Sequence, residues 1–370
     1  MSLPSPSGRG AGGEGNALPE STYIDALLLD LETALPDIWG RKIHSIFFGG
    51  GTPSLFSADG IDRILTSVRT LTPLMPNAEI TLEANPGTVE AAKFAGFRAA
   101  GVTRVSLGIQ SFNPRHLQAL GRIHDGIEAR RAAELAATHF DTFNLDLMFA
   151  LPGQTLAEAL ADIDTALAFQ PPHLSAYHLT LEPNTPFGYT APPHLPDEDI
   201  AADMQLALEA RLSEAGMQHY ETSAYAKSGH ASRHNINYWQ FGDYLGIGAG
   251  AHSKLSFHDR ILRQMRTKHP QQYMDAVQKI THIADQRVLT RHDLPFEFMM
   301  NALRLNDGVD AALFEERTGL PLIVCANALE QARTQGLLER DLKKLKPTPQ
   351  GQRFLNNLLE MFLPDEALLK

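Results

Sequence analysis

The chain has 370 residues, 43% hydrophobic and 20% charged, which suits a globular protein with one large domain and a smaller one. Its 43 acidic against 32 basic side chains give a formal net charge of -11, which argues against sequence-independent nucleic-acid binding, since that requires phosphate neutralisation. A single cysteine, Cys325, excludes a disulfide framework or a multi-cysteine metal site within these residues.

The first 15 residues are Gly, Ser and Pro-rich, with no apolar segment of a secretory signal, and are expected to be disordered. No apolar run reaches the ~18 residues of a spanning helix, so the expected location is cytoplasmic. From Thr22, Ile24, Leu27, Leu28, Leu31 and Leu35 recur at helical spacing. Lys42 to Phe48 follows as a strand, and Ser57 caps a helix carrying Ile61, Ile64, Leu65 and Val68 on one face. Glu79 to Glu83 is a strand, and a helix from Thr88 stops at Gly101. Arg104 to Gln110 alternates as a strand. Asn113-Pro114 and Asp125 open two helices, and Phe143 to Phe149 is the next strand. Thr155 with Glu158 forms a capping box, and Leu174 to Leu181 is a fifth strand.

This alternation implies parallel strands joined by right-handed crossovers. Five strands suit a partial barrel or an open doubly wound sheet. The helix at Thr22 has no strand before it, so a first strand is expected to be missing from the sheet, leaving the Lys42 to Phe48 edge and Leu27, Leu28 and Leu31 uncovered. Beyond Pro183, Pro196 to Gly216 is a helix and Gln218 to Ala226 a strand. Residues 228–256, rich in Gly, Asn, His and aromatics, suggest a functional loop. From Leu294 three helices, a hairpin at Leu337 to Thr348 and a helix from Gly351 suggest a winged-helix-like domain. The expected organisation is therefore a disordered 1–15, a core at 16–227, a loop region at 228–285 and a terminal domain at 286–370. Cys325, in the apolar run Leu322 to Ala326, is expected to be a buried hydrophobe.

Ile46-Phe47-Phe48-Gly49-Gly50-Gly51-Thr52-Pro53-Ser54 ends the first strand in three glycines, which let backbone N–H groups approach a ligand. It lacks the Lys-Ser/Thr of a P-loop and the spacing of a dinucleotide fingerprint; taken alone it is equally a tight turn. Glu83, Gln110 and Asp146 lie at or near the ends of successive strands, where α/β folds build their sites.

The succession GGGTP, LEANPG, GIQSF with ALGRIHD, and DLMFALPGQ resembles the radical-SAM coproporphyrinogen-oxidase-like proteins. The segment Arg233 to Trp239, RHNINYW, followed by DYLGIGAGAH, is similar to the signature of the heme-chaperone (HemW) branch. The resemblance implies a radical-SAM-type partial barrel lacking its first strand, with a small helical terminal domain. It implies that Gly50, Gly51, Thr52 and Glu83 hold the methionyl part of S-adenosylmethionine. Gln110, Arg122 and Asp146 would line the rest, with Asp146 on the ribose hydroxyls. His234 would bind heme, with Tyr238 and Trp239 packing on the porphyrin; Asn235 and Tyr238 would equally serve as a structural corner. The family's CxxxCxxC, whose thiolates hold a 4Fe–4S cluster, has no counterpart here, since no cysteine precedes Cys325. The leading expectation is a heme-trafficking protein without its cluster, which leaves no catalytic residue or metal ligand to name. An oxygen-independent coproporphyrinogen oxidase and a non-functional truncated fragment are the rivals. Heme is the expected partner, with dimerisation open.

Overall fold

The computed structural model describes residues 19–364 apart from 89 and 184. The expectations of disorder in 1–15 and of a strand displaced from that stretch fall outside the described residues. In chain order the elements are α1 (Glu20–Ile38), β1 (Ile43–Phe48), α2 (Ala58–Leu71), β2 (Leu74–Ala84), α3 (Ala91–Ala100), β3 (Arg104–Gln110), α4 (Pro114–Ala119), α5 (Gly126–His139), β4 (Thr142–Phe149), α6 (Leu156–Ala168) and β5 (His173–His178). Then come α7 (Pro186–Tyr189), α8 (Glu198–Glu214), β6 (Gln218–Glu221), β7 (Ala224–Ala226), α9 (Arg233–Trp239), β8 (His252–Ser256), β9 (Ile261–Arg266), α10 (Pro270–Gln278) and β10 (Ile283–Val288). Last are α11 (Asp293–Ala302), β11 (Val309–Asp310), α12 (Ala312–Thr318), α13 (Ala326–Thr334), β12 (Lys344–Leu345), α14 (Pro349–Arg353) and α15 (Leu355–Glu360). The chain divides into two units, one of 42–219 with 223–231, the other of 19–41, 220–222 and 232–364.

The first unit holds a sheet ordered β1-β2-β3-β4-β5-β7-β6, with β1 to β5 parallel and β7 antiparallel to β5. From β1 to β5 each strand lies beside the one before it, with no reversal of order. That is the winding of a curled partial barrel, and it decides between the two sheet types left open by the sequence. The helices start where local chemistry dictates. Asp125 and Thr155 both form complete capping boxes with Glu128 and Glu158, and Gly101 ends α3 in the left-handed conformation. One face of the strands packs on these helices through Leu82, Val105, Leu107, Phe143, Leu145, Leu147 and Leu174, all buried. The opposite face carries Thr81, Glu83, Arg104, Ser106, Asn144, Asp146, His173 and Ser175, as the period of two requires. A parallel strand flanked on both faces by apolar layers would read as continuous hydrophobic sequence; here one face of β2 to β5 is polar instead.

In the second unit the structure corrects the reading of α1. The helix was expected to lie against a strand of the sheet, with Leu27, Leu28 and Leu31 uncovered. Instead it belongs to the second unit and packs on α10, with Ala26, Tyr273, Met274 and Val277 forming the contact and Tyr23 and Leu27 against it. Leu31 is buried. Its deepest residue is Asp30, which is 0% exposed. The Asp30 carboxylate meets Arg266 at 3.2 Å, His282 Nε2 at 3.1 Å and the Tyr273 hydroxyl at 2.8 Å, and accepts the Gly248 N–H at 3.2 Å. A charge this deep persists only when fully paired. The helix partner was thus a distant cation rather than a strand.

Two further expectations change. The 228–256 stretch is not a loop throughout, since it contains α9 and β8. Gln218 to Ala226 is not one strand but two, β6 and β7. A three-stranded antiparallel sheet, ordered β10-β9-β8, occupies a region the sequence left unassigned. The terminal part holds α11 to α15 around Phe298, Phe314, Leu329 and Leu358, with β11 paired to β12, in keeping with the helical, winged-helix-like domain expected. Cys325 is buried there, as expected of it.

Candidate functional site

The polar face of the first unit converges on Asp146. The register sets Glu83 beside Ser106, Ser106 beside Asn144 and Asp146 beside Ser175. The Ser106 hydroxyl donates to one Asp146 oxygen at 2.9 Å and the Asn144 amide to the other at 2.8 Å. The Asn144 carbonyl oxygen in turn accepts the Ser175 hydroxyl at 3.1 Å and lies 2.7 Å from His173 Nδ1. Since that oxygen only accepts, Nδ1 carries a proton, and burial holds the His173 imidazole well below its usual pKa. Three strands therefore fix one carboxylate, whose pKa burial raises against its hydrogen bonds.

Glu83 stands near it. Burial first, then the negative Asp146, push the Glu83 carboxyl up to about 7, against the pull of the Gly50 N–H that it accepts. The three glycines after β1 differ in what requires them. A Cβ on Gly49 would sit 2.6 Å from the Phe47 ring and 3.4 Å from the Glu83 carboxyl carbon. Gly50 has φ +91, in the region that favours glycine. A Cβ on Gly51 would meet no atom within 4 Å, so packing does not require glycine there. Thr52 accepts from the Asn85 amide at 3.2 Å.

Gln110 ends β3 at a break in the β3–β4 register, with φ +66. Its amide nitrogen lies 3.2 Å, and Asn85 Oδ1 3.4 Å, from where a Gly108 Cβ would stand. Arg122, in the turn after α4, is half-buried; burial lowers its pKa while Asp146 raises it. Beside it His124 is buried, with Nε2 3.1 Å from the Ile109 carbonyl.

Gly50, Gly51, Thr52, Glu83, Gln110, Arg122 and Asp146 all lie in the first unit. Glu83 accepts from Gly50 and feels the charge of Asp146, as does Arg122; Thr52 accepts from Asn85, and Asn85 and Gln110 both border Gly108. Sequence reasoning missed Asn85. Strand alternation puts Ser106 on one face with Gln110 and Asn144 on one face with Asp146, but does not reveal the hydrogen bonds by which both hold the Asp146 carboxylate.

His234 lies in the second unit, on α9, which Ser232 caps by accepting the Asn235 N–H at 3.3 Å. His234 is half-buried and inclined to Tyr238, one turn on, with ring centroids 5.7 Å apart. Tyr238 stacks on Tyr244 at 4.1 Å, and the Tyr244 hydroxyl accepts Arg263 at 2.8 Å. Asn237 also makes a hydrogen-bonded corner here: its amide donates to the Asp243 carbonyl at 3.0 Å, and Gly242 packs where a Cβ would be 2.0 Å from Asn237 Oδ1, while the Tyr238 hydroxyl is hydrogen-bonded to Tyr244. Asp243 is paired to Arg41 and to the buried Lys254, whose amine burial lowers to about 8.

Cys325 is far from thiolate chemistry, its thiol pushed up to about 11 by burial. Among the described residues no group of three or more His, Cys, Asp or Glu is placed to hold a metal ion, and no helix is long and apolar enough to cross a membrane.

Residues 21–166 match the Radical SAM superfamily, and residues 289–354 match the HemN C-terminal domain. Heme chaperone HemW of Haemophilus influenzae is 48% identical over 355 residues, covering 94% of this chain and 91% of that protein. Heme chaperone HemW of Escherichia coli is 47% identical, with the same coverage. The mitochondrial radical S-adenosyl methionine domain-containing protein 1 of Mus musculus is 35% identical, covering 93% of this chain and 81% of that protein. Among solved structures, coproporphyrinogen III oxidase (HemN) from Escherichia coli superposes with a TM-score of 0.77 at 23% identity, covering 93% of this chain and 83% of that one. That likeness concerns the fold.

Proposed function

The chain belongs to the heme chaperone HemW family, within the radical SAM superfamily, and on that premise we propose that it binds heme and passes it to other proteins. The observation that carries this reading is the RHNINYW helix, whose His234 stands beside the stacked Tyr238–Tyr244 pair. An imidazole on a half-exposed helix face with aromatic rings alongside suits an axial ligand and a porphyrin plane. Titration of the purified chain with heme should give a saturable Soret change. Heme should then move to an apo-acceptor such as apomyoglobin. A linear, unsaturable response would refute the proposal.

The first-unit site suits S-adenosylmethionine, a ligand that supplies an ammonium, a carboxylate, a sulfonium and a ribose diol. Glu83, raised toward neutrality by burial and by the negative Asp146, would take the ammonium together with the open ground at Gly51. Arg122 would take the carboxylate, for which its planar fork is suited. Asp146, held rigid by Ser106 and Asn144, would accept the ribose hydroxyls. Gln110 and Thr52 would line the remaining wall.

The 4Fe–4S cluster implied by the superfamily does not fit the residues of this chain. Its soft irons take several thiolates, whereas the sequence has Cys325 alone, buried in the second unit with a thiol held protonated. No reductive step is assigned to this chain, and the oxidase reading keeps only the fold in its favour. A cytoplasmic location is part of the proposal.

A further inference from the structure

We propose that Asp162 is a positioning residue for the S-adenosylmethionine site, acting through Gln110; the inference rests on the reading of that site given above. Gln110 has φ +66, a left-handed conformation that a glutamine adopts only where its surroundings impose it. The two residues that follow show what imposes it. The Ser111 hydroxyl donates to Asp162 Oδ2 at 2.6 Å, and the Phe112 N–H donates to Asp162 Oδ1 at 2.8 Å. The Ser111 oxygen also accepts the Asn113 N–H at 3.0 Å. Both oxygens of one carboxylate are thus committed to the turn that leaves β3.

Asp162 reaches this turn from α6, about 50 residues along the chain. It is 5% exposed and lies among the buried residues Ala159, Ile163 and Ala166 of its helix. A carboxylate on the apolar face of a helix is costly unless its bonds are met, and charge-assisted bonds to a hydroxyl and a backbone amide meet them. Packing of α6 on the sheet alone would be better served by leucine. The carboxylate instead fixes the Ser111 side chain and the Ser111–Phe112 peptide that follow Gln110, whose amide nitrogen stands 3.2 Å from where a Gly108 Cβ would be. Gln110 therefore enters the site from a bent strand end whose geometry is set by a residue that touches no ligand.

A double-mutant cycle on the full chain separates this from a purely structural clamp, with binding of S-adenosylmethionine measured by calorimetry and melting temperature measured alongside. Asp162→Ala should weaken binding about tenfold, within the coupling range of residues in one network, and should have almost no effect when Gln110→Ala is already present. The loss in melting temperature should be the same in both backgrounds. Asp162→Asn, which still offers Phe112 an acceptor, should recover most of the affinity. Should Asp162→Ala not fold, Ser111→Ala removes one of the two bonds and should weaken binding by a smaller factor, again only when Gln110 is present. Equal affinity losses in both Gln110 backgrounds, or a melting loss without any affinity loss, would overturn the inference. Unchanged affinity in Gln110→Ala alone would instead remove Gln110 from the site, and the inference with it.

Discussion

Binding of S-adenosylmethionine should strengthen as pH rises through about 7, because of Glu83. Its carboxyl is pushed up to about 7 by burial and by the negative Asp146, with the Gly50 N–H opposing. The groups around it are Asp146, the Arg122 guanidinium coupled to Asp146, and backbone N–H groups. An acid raised in the free protein holds its proton at pH 6, and the protonated form offers a ligand ammonium no counter-charge. An ammonium beside Glu83 favours the carboxylate and lowers that pKa, so binding releases a proton. With the group at about 7, the ionised fraction is roughly one in ten at pH 6 and nine in ten at pH 8. Apparent affinity scales with the competent fraction and should rise about tenfold across that interval. Calorimetry in buffers of different ionisation enthalpy measures both the affinity and the proton released. The ligand's own amine titrates too, but equally with wild type and with Glu83→Gln, so their ratio isolates Glu83. That ratio should climb about tenfold from pH 6 to pH 8; a ratio independent of pH refutes the assignment of Glu83 to the ammonium.

Asp30→Ala should destabilise the second unit by about 3–5 kcal/mol, because it leaves the 1%-exposed Arg266 side chain buried without its counter-ion; denaturant unfolding followed on that unit checks it, and a loss under about 1 kcal/mol would show the cluster to be open to water. Gly246→Ala should disturb the segment after α9, since the added Cβ would stand 2.1 Å from the His252 carbonyl oxygen; faster hydrogen exchange at the Tyr244 amide, which bonds to the Lys254 carbonyl at 2.9 Å, is the expected signature, and unchanged exchange would count against it. Anaerobic reconstitution with iron and sulfide should yield no cluster within one chain, on the ligand count; about four irons and four sulfides per chain with a reduced-cluster resonance would contradict that.

The first unit was legible because its signals are local. Capping boxes at Asp125 and Thr155, the stop at Gly101 and the polar residues at strand ends depend on neighbours within a few residues, and each appears where the pattern puts it. Strand order followed from the alternation of strand and helix. What failed depends on distant partners. Amphipathic spacing shows that α1 buries a face, but not on what; the informative residue was Asp30, an acid on the buried side that demanded a cation, and Arg266 lies 236 residues away. The glycine and aromatic content of 228–256 suggested a loop, because the short α9 is capped by one serine and has no fully buried residue. β10 was invisible because its six residues are all exposed, which erases alternation. Asp162 was passed over because a lone acid on a helix gives no hint that it reaches a turn about 50 residues earlier.

Heme binding by the α9 segment without a cluster can be measured by parallel Soret titrations of the wild-type chain and His234→Ala, with no iron or sulfide added. Wild type should saturate near one heme per chain, and loss of the imidazole should weaken binding about tenfold or more. Superimposable curves for the two proteins would contradict it.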